Sequence, residues 1–411
     1  MTTVQIAALI VSLTAMLAYV NARFVKLPTQ IGLLAISLAA SAVVILLDSF
    51  GVIDAAALDK VVVAADFGPT LLHGMLGLLL FAGSLHINFG ELREQKWPVA
   101  VLSLGATLLS TALVGGVTYA LLQALGVSIT LLDALLFGAL ISPTDPIAVL
   151  GVLKSSKVPR TIEVVISGES LFNDGVGVVV FTVLLAAATG GHVSGGHVAY
   201  LFVREALGGA VFGLVIGYVA DRMLKSIDDY VVEVMITLAL VLGGYALGEQ
   251  LEVSAPIAAV VAGIVIGNRT VEHSMSEVTR QHVTMFWQLV DEMLNAVLFL
   301  MLGLEATRLH VSGALAIAAA VAVPLVLAAR FVSVGAAAVV LRPFRERPPH
   351  AVKILTWGGL RGGLAVALAL ALPIGPHRDE ILVITYAVVS FSILVQGLTL
   401  SALLRRLGLA D

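Results

Sequence analysis

Residues 141–150 read ISPTDPIAVL, inside an apolar stretch that runs from Leu131 to Leu153. Pro143 and Pro146 each remove a backbone donor, so one regular helix cannot run through the stretch. In a soluble chain Asp145, between the two prolines, would read as a cap at a turn. Here the break falls about midway along a segment long enough to cross a bilayer. Freed backbone at that depth persists only where it lines a cavity or is buried in protein. Asp145 then compensates the partial positive end of the half-helix that follows, with direct cation binding as the other reading. The carbonyl of Thr144 is a separate candidate ligand, because unwound carbonyls coordinate cations in such broken helices.

The rest of the chain supports a membrane reading. Its 411 residues are 59% hydrophobic and only 12% charged, with a mean hydropathy of +1.05, whereas soluble domains carry about 25% charged residues. The chain has no cysteine, which excludes disulfides and thiolate metal sites. No basic tail or arginine strip calls for nucleic acid. The first 24 residues lack a basic start and a clear cleavage site, so Val4 to Val20 reads as a retained span, not a signal peptide. At about 20 apolar residues per crossing, thirteen candidate spans emerge: 4–22, 29–47, 69–87, 98–124, 131–153, 161–188, 199–221, 230–248, 254–268, 287–304, 311–341, 351–373 and 380–403. Segment 49–68, with Asp54, Asp59 and Asp66, reads as a loop with an interfacial turn. Segment 269–286 reads as a surface amphipathic helix.

Basic residues test that count, since Lys and Arg collect in cytoplasmic loops. Alternate loops hold 17 of them on one side and 3 on the other, and Arg204, Arg330 and Arg361 fall inside spans. This places the N-terminus outside and the C-terminus in the cytoplasm. With Asp411 directly after the last span, no long cytoplasmic tail is expected. An odd count suits two inverted six-span repeats joined by a linking span at 199–221. Span 5 then corresponds to span 12, where TWGGLRGGLAV (356–366) places two glycine pairs around Leu360 and Arg361. Interrupted segments at matched positions of two halves point to the binding site.

The second polar island is SGESLFNDGVGV, residues 167–178. Asp174 sits about midway in span 6, where an acid is costly unless neutralised or solvated. Ser170, one turn earlier, shares its face, and together they offer the oxygen ligands that hard cations choose. A carboxyl group withdrawn from water can hold either a proton or a cation near neutral pH, and that competition is the minimum requirement for exchange. The plainer reading is a buried acid satisfied by hydrogen bonds. Asn173 can bond a broken helix without adding charge, leaving one ionisable site for one proton or one monovalent cation. Glu169 needs a partner, and Arg361 in span 12 is the expected one: glycines let helices approach, and a Glu169–Arg361 ion pair would fix span 6 to span 12. Substrate-anion binding is the rival role for Arg361. Arg330 reads as snorkelling or paired locally, and Arg204 and Glu205 as interfacial. Asp291, Glu292 and Asn295 read as a cap of span 10, with a cytoplasmic cation funnel as the alternative. His73 and His86 read as hydrogen-bonded side chains or pH sensors, and Gln396 as packing on span 12.

Taken in order, SPTDP, GESLFNDG, TWGGLRGGL and FSILVQGLTL resemble the NhaP/NHE-type monovalent cation:proton antiporters over essentially the whole chain. DEMLNAVLFLMLGLE and LHINFGELR also look like bacterial members. The resemblance implies an all-α polytopic fold with two inverted six-helix repeats and crossed discontinuous helices. It implies that Asp174 is the ion-binding acid, with Asn173 beside it, Ser170 and the Thr144 backbone as Na⁺ ligands, Asp145 as the acid of the broken helix, and Glu169 and Arg361 as the structural pair. It implies no cofactor beyond the transported Na⁺ or Li⁺ and H⁺, electroneutral one-for-one exchange, and a homodimer in a prokaryotic inner membrane. Spans near 4–97 and 230–304 would form the dimerisation side, and spans near 98–188 and 311–403 the moving core. One departure stands out. Ala82 falls where some relatives carry a glutamate, and Leu71 to Ile87 contains no acid. Water or Ser84 would complete the ion's ligands, and K⁺/H⁺ exchange on the same scaffold stays open. Other classes fit less well. A channel would need a repeated carbonyl filter. An intramembrane hydrolase would have to use Asp145 and Asp174 as a dyad beside Asn173. No Ser/His/Asp constellation suggests any other enzyme.

Overall fold

The two proline-flanked and glycine-flanked breaks fall where the sequence places them. In the computed structural model, which describes residues 2–51, 74–154, 156–189, 195–271, 275–309, 311–342, 348–373, 375 and 377–410, helix α6 (Leu131–Ile141) ends just before Pro143, and α7 (Ile147–Lys154) starts just after Pro146. Likewise α14 (Ala351–Trp357) ends at the first glycine pair and α15 (Gly363–Leu370) starts within the second. The only residue pairing of β type among the described residues joins the breaks themselves: Asp145 and Leu360 form an isolated antiparallel bridge, with the Asp145 N–H donating to the Leu360 carbonyl at 2.8 Å. The two interrupted helices therefore cross at their extended centres. Each break satisfies part of the other's freed backbone, as polar backbone at membrane depth requires.

All other described elements are helical. In chain order they are α1 (Thr3–Val20), α2 (Thr29–Ser49), α3 (Leu76–Leu85), α4 (Phe89–Glu94), α5 (Lys96–Ala124), α8 (Arg160–Thr189), α9 (Gly195–Leu224), α10 (Tyr230–Gln250), α11 (Ala255–Val271), α12 (Glu277–Glu305), α13 (Gly313–Leu341) and α16 (Arg378–Arg406). Among the described residues, eight helices are long and apolar enough to cross a membrane, and α3, α6 and α11 are shorter apolar helices. Side-chain caps set several starts: Thr130 for α6, Asp229 for α10, Ser254 for α11 and Ser312 for α13, each giving an orphan N–H an acceptor. Segment 269–286 differs from expectation. Residues 277–286 are not a separate surface helix but the first turns of α12, capped by Ser276. His73, Asp54, Asp59, Asp66, Glu272 and His273 lie outside the described residues.

Packing partners sort the helices. Helix α6 packs on α5 and α8, and α13 on α16, α5 and α14; elsewhere α11 packs on α9, α3 and α10, and α12 on α2, α3 and α10. The crossing is enclosed by a large apolar cluster that includes Phe137, Leu140, Phe299, Val366 and Val389, all buried. Burial of this kind is usual for soluble cores. Inside a membrane it acts through close packing, because lipid tails are as apolar as leucine.

Candidate ion-binding site

The crossing gathers four of the five expected site residues by direct bonds. Asn173 on α8 clasps Thr144. Its Oδ1 accepts from the Thr144 N–H at 3.2 Å, and its Nδ2 donates to Thr144 Oγ1 at 2.9 Å. Ser170 Oγ lies 3.0 Å from the same Thr144 hydroxyl. Ser170, Asn173 and Thr144 are all buried, none more than 2% exposed. One turn of α8 thus holds the unwound segment by its amide and its side chain. The Thr144 carbonyl accepts no hydrogen bond from a described residue, which leaves it available as a ligand.

Asp145 performs the structural role its position suggests. Its Oδ1 accepts from the Ile147 N–H at 2.9 Å at the start of α7. The same carboxylate packs against Gly362 at the start of α15, where an added Cβ would stand 2.5 Å from Oδ2. One acid therefore faces the positive ends of two half-helices, and only glycine admits it. Close approach is also needed at Gly177 of α8, where a Cβ would collide with the ring of Pro143.

Asp174 stands apart from these bonds. It is partly buried on α8, feels the charge of Asp145, and has no hydrogen-bond or ion-pair partner among the described residues. The reading of Asp174 as an acid satisfied by protein hydrogen bonds is not what the structure contains. A carboxylate without a protein partner at this depth needs a proton, a cation or water.

The ion pair differs from expectation. Glu169 is paired with Arg330 of α13, not with Arg361. The contact is a two-pronged one, with Arg330 Nη1 on Oε1 and Nη2 on Oε2 at 2.9 Å. Arg330 also donates to the Leu355 carbonyl at 3.3 Å. With Arg330 4% and Glu169 1% exposed, Arg330 does not snorkel, and it joins α8 to α13. Arg361 instead turns to the broken helix. Its Nη1 donates to the carbonyls of Ser142 and, at 2.9 Å, of Pro143. There it meets the negative end of α6. The physical reason is reach along the crossing: the Arg361 backbone is fixed by its N–H to Ser392 Oγ at 2.9 Å, and the freed carbonyls of α6 lie next to it. Arg361 Nη2 is buried without a partner among the described residues. A central arginine in span 11 was the available signal for Arg330. With two such arginines and one glutamate left over, sequence does not say which pairs.

Three smaller readings resolve. Ser84 donates to the Phe81 carbonyl at 2.8 Å and packs against Gly263 of α11, so it is bonded within its own helix and not to the clasp. Ala82 lies buried in an apolar cluster with Phe81 and Trp287. Gln396 donates to the Trp357 carbonyl at 3.0 Å, closing the end of α14.

This geometry can be set beside known proteins. The sequence profile described as "Sodium/hydrogen exchanger, transmembrane" matches residues 10–406. The chain belongs to the transmembrane sodium/hydrogen exchanger family. Among its relatives in the sodium/hydrogen exchangers, it is 47% identical to the Na⁺/H⁺ antiporter NhaP of Pseudomonas aeruginosa over 98% of this chain and 96% of that one. It is 38% identical to the Na⁺/H⁺ antiporter NhaH of Halobacillus dabanensis over 84% of each. Its fold is similar to that of the sodium proton antiporter MjNhaP1 from Methanocaldococcus jannaschii, with a TM-score of 0.74, 18% identity and 97% of both chains covered. As a member of an exchanger family the protein is a transporter and not an enzyme.

Proposed function

We propose that this exchanger carries one Na⁺ or Li⁺ against one proton, the two competing for Asp174. The observation that carries the reading is the partnerless Asp174 beside the Thr144–Asn173–Ser170 clasp. There the Ser170 hydroxyl, the Thr144 carbonyl and the Asp174 carboxylate offer hard oxygen ligands from two helices, the set a small alkali cation takes. Asp145 contributes charge from the adjoining turn, and Asn173 holds the unwound segment in register. Charge supports one-for-one exchange. Around the crossing stand three acids, Asp145, Glu169 and Asp174, and two arginines, Arg330 and Arg361, one negative charge in excess. A bound Na⁺ or a bound proton each brings the group to neutrality, so neither loaded form carries net charge across the bilayer. Asn173, being an amide, adds no second ionisable site.

Thirteen crossings in two inverted repeats, an outside N-terminus and a cytoplasmic C-terminus complete the reading, in a prokaryotic inner membrane. The packing partners support a division into a core (α5–α8, α13–α16) that moves and a side (α1–α3, α10–α12) that joins two copies as a homodimer, with α9 linking them. Alternating access then moves the crossing relative to that side.

The test is purified protein in liposomes holding a pH-sensitive dye, with a membrane-potential dye read in parallel. Na⁺ or Li⁺ should drive proton flux with no charge movement, and choline should not. Flux mainly with K⁺ would reassign the ion and point to the acid-free α3. Charge movement with each turnover would refute the one-for-one ratio.

A further inference from the structure

The sequence suggests that Asp291 caps the start of its helix, and the structure removes that role. Helix α12 begins at Glu277, where Ser276 Oγ accepts from the Thr279 N–H at 3.4 Å. Asp291 lies well inside the helix and is partly buried. Asn295, one turn on and 2% exposed, donates to the Asp291 carbonyl at 2.8 Å and to its Oδ1 at 3.1 Å. The amide fixes the carboxylate's direction, and the second carboxylate oxygen has no partner among the described residues. Glu292, the neighbouring acid, points to the exposed face and accepts from Gln288 at 3.2 Å.

The face that carries Asp291 and Asn295 continues to Leu298, at helical spacing. Leu298 packs directly on Gly363 at the start of α15. The residue before it, Gly362, is the one that receives the Asp145 carboxylate. A single face of α12 therefore runs from a fixed, half-exposed carboxylate to the crossing, and Asp291 and Asp145 are close enough to interact through their charges. Helix α12 is anchored on α2, α3 and α10, while Asp145 belongs to the crossing.

We propose that Asp291 is a positioning residue for transport, a carboxylate on the stationary side that draws the cation toward the Asp145–Asp174 site only while the crossing faces the cytoplasm. This rests on the ion site and the moving core proposed above. Its consequence is one-sided. When the crossing moves, Asp291 and the site part, and the attraction falls with distance and solvent screening.

The test compares the apparent KM for Na⁺ at each membrane face, using everted and right-side-out vesicles. Asp291→Asn should raise the cytoplasmic-face KM by about three- to tenfold, the effect of one partly screened charge, with Vmax and the other face unchanged. Asp291→Glu should restore the KM, and Glu292→Gln should match the unmodified protein. A KM unchanged at both faces, a rise equal at both, or a fall in Vmax alone with lowered thermal stability would overturn the proposal. A rise confined to the opposite face would overturn it as well, since the attraction is assigned to the cytoplasm-facing state alone. Asp174→Ala run alongside separates the two readings: if that variant still exchanges ions, the ion site fails whatever Asp291→Asn does.

Discussion

Replacing Arg330 by alanine will cost the fold about 3–5 kcal/mol, the usual penalty for stranding one member of a buried ion pair. The magnitude follows from burial and geometry. Glu169 is 1% exposed and takes both of its bonds to side chains from the one guanidinium, so Arg330→Ala leaves a carboxylate with no donor at membrane depth. Glu169→Ala strands Arg330 in the same way. Replacing both together, Glu169→Leu with Arg330→Met, should recover most of the loss, because apolar groups of similar volume remove the desolvation penalty along with the attraction. Arg361→Ala should cost less than Arg330→Ala, since it removes bonds to two carbonyls and leaves no carboxylate stranded. Thermal unfolding of detergent-purified variants reads all four. Arg330→Ala with unaltered stability, or Arg361→Ala as the more damaging change, would restore the pairing of Glu169 with Arg361 that the sequence suggests.

Asp174→Ala should bring Na⁺-driven proton flux down to that of protein-free liposomes while leaving the fold intact. The second half is as informative as the first. Asp174 makes no bond that the fold depends on, and its charge is repelled by that of Asp145. Its removal should hold thermal stability level or raise it, the pattern of a residue kept for activity at some cost to the native state. Flux measurements and melting curves on the same preparation check both parts. A variant that exchanges ions, or one that is inactive because it is unfolded, would remove the ground for assigning the site to Asp174.

How much of this was legible in the chain depends on which physical constraint each residue obeys. The breaks were readable from backbone chemistry, since Pro143 and Pro146 remove donors and the two glycine pairs around Arg361 weaken a helix, and the Asp145–Leu360 bridge is the form that crossing takes. Thr144, Ser170 and Asn173 were readable because polar side chains at membrane depth must meet one another. The partner of Glu169 was not readable. Choosing between Arg330 and Arg361 depends on where the freed carbonyls of Ser142 and Pro143 end up, and that is fixed by the crossing, not by spacing along the chain. Ser84 carries a related ambiguity. A serine in an apolar helix can place its hydroxyl proton on its own backbone, here the Phe81 carbonyl, so its presence there does not by itself mark a site. Asp291 looked like a cap because the apolar run begins near it, yet the helix had already started at Glu277, in a stretch too polar to count as span.

The central claim is that a proton and a sodium ion contend for one carboxylate. The most direct measurement is the initial rate of Na⁺-driven proton flux in proteoliposomes, with Na⁺ varied at each of a series of pH values. Competition for Asp174 predicts that, on the acid side, the apparent KM for Na⁺ rises about tenfold for each pH unit while Vmax stays constant, as one proton displaced per cation requires. A Vmax that falls with acid while KM stays fixed would mean that proton and cation bind at separate places, and would contradict the account.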